Sequence, residues 1–353
     1  AKVRAWKLLE MQRHAMLMYT SCGWFFDELS GLETVQVIQY AGRVAQLYEQ
    51  AFGESVEAEF ENLLACAKSN IREYGDGAVI FDRFVKPAIV DLQNVCAHYA
   101  ISSLFEPYGT ETQINSFSVD RLDYHAREAG KLHLGIGKAQ FASKVTGETR
   151  VLLFAALHFG DHNILGAVQP FIEEAAYQKT LATLLDAFSR AETPEVVLLL
   201  GRHFGGKTYS LKSLFRDEQR KILKRILAST LAEAEAVYLN LYQNHAPLMR
   251  FIAGLNSPIP KELSATMEYS VNSSLRRAFG ADNLEFGRVK AMLQEARDNH
   301  VALDVTTLEY TFRRTAERTA ERFAADPGDL AQLQELVETL TITESLPFPV
   351  ILW

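Results

Sequence analysis

The spacing of apolar residues changes twice along the chain, and this limits the fold more than any single motif. Between residues 4 and 105 they recur at three- and four-residue steps, the period of an amphipathic helix. Between 117 and 157 they alternate with polar or small residues, the period of a strand, and from residue 209 helical steps return. Residues 4–20 read as one helix, with Leu8, Leu9, Ala15, Met16 and Tyr19 on one face. Residues 33–52 read as the next, carrying Val37, Ile38, Ala41, Val44, Ala45, Tyr48 and Phe52, and Ser30 with Glu33 fits a capping box at its start. Two more helices are expected over 55–70 and 77–105, separated by the breaker Glu73-Tyr74-Gly75-Asp76-Gly77, with Pro87 kinking or dividing the second. A helical bundle follows from these segments.

Pro107-Tyr108-Gly109-Thr110 marks a boundary. Beyond it Phe117, Val119 and Tyr124, then Leu132, Leu134 and Ile136, alternate around a turn at Glu128-Ala129-Gly130. A second turn, Thr146-Gly147-Glu148-Thr149, leads into the unbroken apolar run Val151–Leu157. That pattern predicts an antiparallel meander with the last strand in its interior. A helix over 171–191 and a strand at Glu195–Leu200 joining the same sheet are expected next. Helices over 215–245, 260–279, 283–299, 306–325 and 328–341 complete the chain, with Asp282 and Glu285 as a capping box and Asp326-Pro327 as N-cap and first helical residue. The expected class is α+β: a predominantly helical bundle with a small antiparallel β-sheet in the middle of the chain. Its parts would be residues 1–107, 108–208 and 209–353.

Charge and cysteine usage narrow the function. Lys and Arg number 36 against 44 Asp and Glu, a net charge of −8 that repels phosphate backbones and argues against nucleic acid as a partner. No apolar run reaches the roughly 20 residues that span a bilayer. Lys2, Arg4, Lys7, Glu10 and Arg13 interrupt any early apolar core of a signal peptide. Cys22, Cys66 and Cys96 are an odd number at long spacings, which suits a reducing compartment, hence the cytoplasm. No cofactor motif is read.

Three constellations carry chemistry. The first is the connection Thr20-Ser21-Cys22-Gly23-Trp24-Phe25-Phe26-Asp27-Glu28, where rings sit beside carboxylates. A ring stacks on the apolar face of a pyranose while carboxylates accept from its hydroxyls. The competing reading buries Phe25 and Phe26 in the bundle and lets Gly23 end the first helix. The second is Leu157-His158-Phe159-Gly160-Asp161-His162-Asn163 at a strand end. Its His158, Asp161 and His162 have metal-ligand chemistry, but no further ligand cluster is identifiable, so a polar substrate-facing or structural loop is the simpler reading. The third, Gly201 to Thr208, matches G-x-x-x-x-G-K-[ST] after an apolar stretch, but lacks the helix opening at Lys207 and the alternating strands of a P-loop core. A nucleophile elbow, an H-E-x-x-H helix and a supported Cys–His pair are all missing. No catalytic residue is assigned.

The segment His14 to Phe26 resembles the last motif region of the family 57 glycoside hydrolases, in which a helix ends in a Ser-Asp-Trp turn that reaches the substrate cleft. Ser21 or Cys22, and Trp24, fall on the Ser and Trp of that pattern; Gly23 stands where those enzymes usually have Asp, so that carboxylate contact is lost. The strings at 20–34, 157–163 and 209–223 together resemble the bacterial domain of unknown function 3536, which lies C-terminal to a family 57 type catalytic domain. The resemblance implies a C-terminal region that packs on an N-terminal (β/α)7-type barrel holding the catalytic carboxylates. It further implies that Ser21, Trp24, Asp27 and Glu28, and in second place His158, Asp161 and His162, face an oligosaccharide or polysaccharide. A stand-alone carbohydrate-binding or protein-interaction module is the alternative, and P-loop nucleotide binding a third.

Overall fold

A computed structural model of the chain describes residues 1–205, 207–255, 257–281 and 284–351. They fall into two compact units, Ala1–Ile226 and Leu227–Trp353.

The first unit opens with α1 (Lys2–Leu17), a single turn α2 (Cys22–Phe25), α3 (Leu32–Phe52) and α4 (Glu57–Leu64). Gly77 starts α5 (Gly77–Ile80), capped by Asp76, whose Oδ1 accepts from the backbone N–H of Ala78 and Val79 at 3.1 and 3.2 Å. A π-turn (Phe81–Val85) and a 3-10 turn (Lys86–Ala88) containing Pro87 then separate α5 from α6 (Leu92–Ser102), so the proline divides the segment as its missing N–H requires. Ile38, Ile80, Phe81 and Val85 close a small core between α3 and the π-turn.

Six strands follow as a continuous antiparallel meander: β1 (Glu111–Ile114), β2 (Phe117–Ala129), β3 (Leu132–Ser143), β4 (Thr149–His158), β5 (Ile164–Pro170) and β6 (Thr208–Tyr209). The unbroken apolar run of β4 is explained by burial on both faces. Leu152, Phe154 and Ala156 point into the core shared with α6, whereas Leu153, Ala155 and Leu157 point into a second core. That second core is closed by α7 (Glu174–Ser189) and α8 (Thr193–Phe204) through Tyr177, Leu184, Val196 and Leu200. Gly137 lets β2 approach at the bulge between Arg121 and Asp123: a Cβ there would stand 2.4 Å from the Asp123 carbonyl oxygen.

The helix α9 (Arg216–Gly254) runs from the first unit into the second. The second unit continues with α10 (Lys261–Gly280), α11 (Phe286–Asp298), α12 (Val305–Ala325) and α13 (Leu330–Thr343) around Val271, Phe279, Leu293 and Phe312. The α+β class stands, with the sheet in the middle of a mainly helical chain.

Several local expectations are corrected. Glu195–Leu200 is helix, not strand: Val196, Leu200 and Phe204 recur at four-residue steps and all are buried, and Pro194 sits in the first turn of α8. Ser30 caps nothing on α3, whose N-cap is Gly31; its N–H and hydroxyl both go to Glu28 instead. α13 starts at Leu330 behind Asp329, which accepts from the N–H groups of Ala331 and Gln332, so Asp326-Pro327 lies outside that helix. Asp282 lies outside the described residues, and Glu285, at the N-cap of α11, makes no capping bond.

The largest correction concerns α1. Of its expected apolar face, Leu9, Met16 and Tyr19 are exposed, Leu9 at 62% and Met16 at 68%, with Trp6 exposed as well, whereas Leu8 and Ala15 are half-buried. The inward stripe is Val3, Lys7, Glu10, His14 and Leu17, at the same helical spacing. Polar and apolar residues are mixed on both sides of the helix, and the inward side meets charged partners, notably Glu148, whose carboxylate lies 2.6 Å from Lys7 Nζ.

Candidate functional site

The ring-bearing connection is a short helix on a short loop. The backbone N–H groups of Trp24 and Phe25 bond to the Ser21 carbonyl, which winds α2. Trp24 and Phe25 are 74% and 71% exposed, Phe26 is exposed as well, and Phe25 meets Phe26 edge to face at 5.2 Å. The expectation that these phenylalanines are core is thereby overturned. Gly23 does not end the first helix either; α1 stops at Leu17. Gly23 lies within α2 against α3, where a Cβ would stand 3.2 Å from Val37 Cγ1. That approach is tighter than a side chain meets without Val37 shifting, which gives a packing reason for glycine at this position.

The two carboxylates of the turn have different environments. Glu28 Oε1 accepts from Ser30 N–H and hydroxyl, both at 2.9 Å, and from the Ser69 hydroxyl at 2.7 Å; Oε2 accepts from Asn70 N–H at 2.8 Å. Hydrogen bonds from the Ser69 hydroxyl first, and from Ser30 next, pull its carboxyl down to about 2. Asn70 Nδ2 also donates to the Asp27 carbonyl. Glu28 therefore ties the turn to the 69–70 loop and has its lone pairs in use. Asp27 and Ser21 are exposed.

The second candidate set sits in the β4–β5 hairpin. Gly160 and Asp161 take left-handed φ values of 99° and 49° at its tip, and Phe159 and Asn163 close it through backbone bonds. His158 Nε2 donates to the Asp161 carbonyl at 2.9 Å, while its ring stacks on His133 at 5.7 Å and tilts against Phe105 at 5.1 Å. Burial holds the His158 imidazole below its usual pKa. Asp161 and His162 are exposed. Among the described residues no group of three or more His, Cys, Asp or Glu side chains is placed to hold a metal ion. The two candidate sets are anchored to different parts of the unit. The ring-bearing turn rests on α3 and the 69–70 loop. The hairpin stands at the far end of β4, roughly 30 Å of strand from the Lys7–Glu148 contact.

The P-loop pattern falls away. Gly201 to Phe204 is the last turn of α8, Gly206 lies outside the described residues, and Thr208-Tyr209 is a strand rather than the start of a helix.

A further polar cleft was not anticipated. A cavity of about 400 Å3 lies between α1, α3 and the β1–β2 turn, lined by Glu10, His14, Arg43, Gln46, Ser116 and Phe117 among others. An adjoining cavity of about 240 Å3 shares Arg43, Phe117 and Ser143 and reaches Glu148 and Arg150. Arg13 holds Glu10, with Nη2 at 2.6 Å and Nε at 2.9 Å, and His14 Nε2 lies 3.0 Å from the same carboxylate. The sequence signal was present in the polar stripe Lys7, Glu10 and His14 at helical spacing; its meaning required knowing which side of α1 turns inward.

The family profile described as Domain of unknown function (DUF3536) matches residues 1–215. The chain belongs to this family. No curated protein and no solved structure matches it significantly. The DUF3536 segment contains the Trp24 turn, the His158 hairpin and the polar cleft, and it ends one residue before α9 begins at Arg216. Every candidate residue therefore lies in the family's own portion of the chain. No helix among the described residues is long and apolar enough to cross a membrane.

Proposed function

We propose that this chain is a non-catalytic part of a family 57 type glycoside hydrolase acting on an α-glucan or related α-glycoside. Its first unit would sit on an N-terminal (β/α)7-type catalytic domain, with the Trp24 turn lining that domain's cleft. The exposed large apolar side chains of α1 and the Trp24 turn carry the reading. Trp6, Leu9, Met16, Tyr19, Trp24 and Phe25 are all exposed within one short stretch of chain. Burying such side chains yields roughly 2 kcal/mol each, about 10 kcal/mol for the set, the same order as the cost of bringing two bodies together. Exposed large apolar side chains concentrated in this way suit a protein interface.

Within that interface the turn has the chemistry of a sugar subsite. Trp24 offers an exposed indole face, and Asp27 with Ser21 offers polar groups to hydroxyls. Glu28 shapes the turn rather than touching sugar. His158, Asp161 and His162 enter only as a second polar edge for a long polysaccharide. The thiols of Cys22 and Cys66 are exposed and free, which suits a reducing compartment such as the cytoplasm.

The test compares the isolated chain with a full enzyme carrying the barrel. The isolated chain is expected to show no glycosidase activity, and Trp24→Ala in the full enzyme to lower kcat/KM on maltooligosaccharides at least tenfold. Hydrolysis by the isolated chain would sink the non-catalytic assignment; full activity of the Trp24→Ala enzyme would sink the subsite. The exposed pairing of Trp24 with Asp27 also favours a second reading, a self-sufficient carbohydrate-binding module. Calorimetric binding of maltooligosaccharides by the isolated chain would select it.

A further inference from the structure

The cleft between α1 and α3 holds a cation without a counterion. Arg43 lines both of its cavities, and among the described residues its one hydrogen bond is to the Gln46 side-chain oxygen. Burial depresses the guanidinium pKa, with Glu10 and Glu148 near enough to oppose that effect without contacting it. Both of those carboxylates are already engaged, Glu10 by Arg13 and His14, Glu148 by Lys7 at 2.6 Å and Arg150 at 2.8 Å. A third carboxylate at the cleft, Asp91, caps α6 by accepting from Asn94 N–H at 2.7 Å. A partly desolvated guanidinium without an anionic partner is an unfavourable arrangement for the empty protein.

The second observation is independent of charge. His14 lines the same cavity, and its Nδ1 is buried with no hydrogen-bond partner. Nε2 is engaged on its own side of the ring, 3.0 Å from the Glu10 carboxylate and 3.3 Å from Arg13 Nη2. Burial keeps the ring from charging readily, lowering its pKa. Nδ1 is left buried without a partner, and buried polar atoms in folded proteins are nearly always paired.

We propose that this cleft binds a small hydroxylated anion. Its carboxylate or phosphate pairs with Arg43, and one of its hydroxyls hydrogen-bonds His14 Nδ1. The apolar surface of Phe117 and Val90 covers the carbon frame, and Ser116 offers a further hydroxyl. The cleft lies on the inward side of α1, so this inference does not depend on what covers the outward side.

The test titrates the whole chain with glucose 6-phosphate, gluconate and glucose, read by calorimetry and by melting temperature. Glucose 6-phosphate or gluconate should bind and raise the melting temperature, while neutral glucose should not. The two anions separate a phosphate site from a carboxylate site. Arg43→Met should weaken binding at least tenfold, and Arg43→Lys should retain part of it. His14→Phe should weaken binding by the loss of one hydrogen bond, about fivefold to tenfold. Without ligand, Arg43→Met should melt at or above the parent temperature, because it removes an unpaired buried charge. Three results would each overturn the proposal: no binding of either anion at millimolar concentration, equal binding of glucose, or undiminished anion binding by Arg43→Met.

Discussion

Lys7 Nζ lies 2.6 Å from Glu148 Oε2, and the two side chains are only 10% and 18% exposed. This pair fastens the inward side of α1 to the start of β4. Breaking a buried pair leaves its partner charge stranded, which typically costs 3–5 kcal/mol. Arg150 still reaches Glu148 at 2.8 Å, so Lys7→Ala should cost less, about 2 kcal/mol. Glu148→Ala should cost more, because it strands the buried Lys7, whereas Arg150 is exposed to water. Urea unfolding of the first unit, followed by Trp6 and Trp24 fluorescence, checks the order of the two effects.

Trp24→Ala should leave the stability of the isolated chain within about 0.5 kcal/mol of the parent, since most of the ring is exposed. A drop of several degrees in melting temperature would instead make Trp24 a structural residue.

Glu28 makes the turn sensitive to acid. Its carboxyl is pulled down from an ordinary value to about 2, so the folded state binds its proton later than the unfolded chain does. The stabilisation is complete above the ordinary carboxylate pKa and is lost as pH falls through about 2. Carbon-detected NMR should place its titration midpoint near 2, and Ser69→Ala should raise it. A midpoint near 4.5 in the parent would contradict the clamp.

His98 should make the first unit sensitive at milder pH. It is buried on α6, its Nδ1 accepts from Phe215 N–H at 3.3 Å, and burial pushes its pKa down to about 4. Between about 6.5 and 4 the unfolded chain takes up this proton and the folded chain does not, so stability falls as pH falls through that window. The full effect is about 3 kcal/mol. His98→Asn keeps an acceptor for Phe215 without titrating there, and should remove most of that slope in denaturation curves recorded from pH 7 to 4.

Long elements were readable because their periodicity repeats many times. α3 and α12 lie within a residue of their expected bounds, and β4 announced its interior place by having no polar side. α8 was misread because a six-residue window around Val196–Leu200 is apolar in either conformation; the four-residue step to Phe204 decides it. β5 escaped because Gly166 and Ala167 weaken its alternation. The Trp24 turn was legible as a local string, although not that its phenylalanines stay outside. The polar cleft was not legible, since Glu10, Arg43 and Ser116 meet only after the sheet has folded against the bundle.

The burial of Lys7 and exposure of Leu9 and Met16 change how substitutions in α1 should be scored. In most amphipathic helices hydrophobic positions are the intolerant ones and charged positions accept nearly anything. Here the isolated chain should accept Leu9→Glu or Met16→Lys and gain solubility, while Lys7→Leu or Glu10→Leu disturbs the fold. A scheme that ranks importance by hydrophobicity would protect the wrong side of this helix. Disagreement between mutational tolerance measured on the isolated chain and on a larger assembly would be concentrated at Trp6, Leu9 and Met16, and would outline whatever surface they meet.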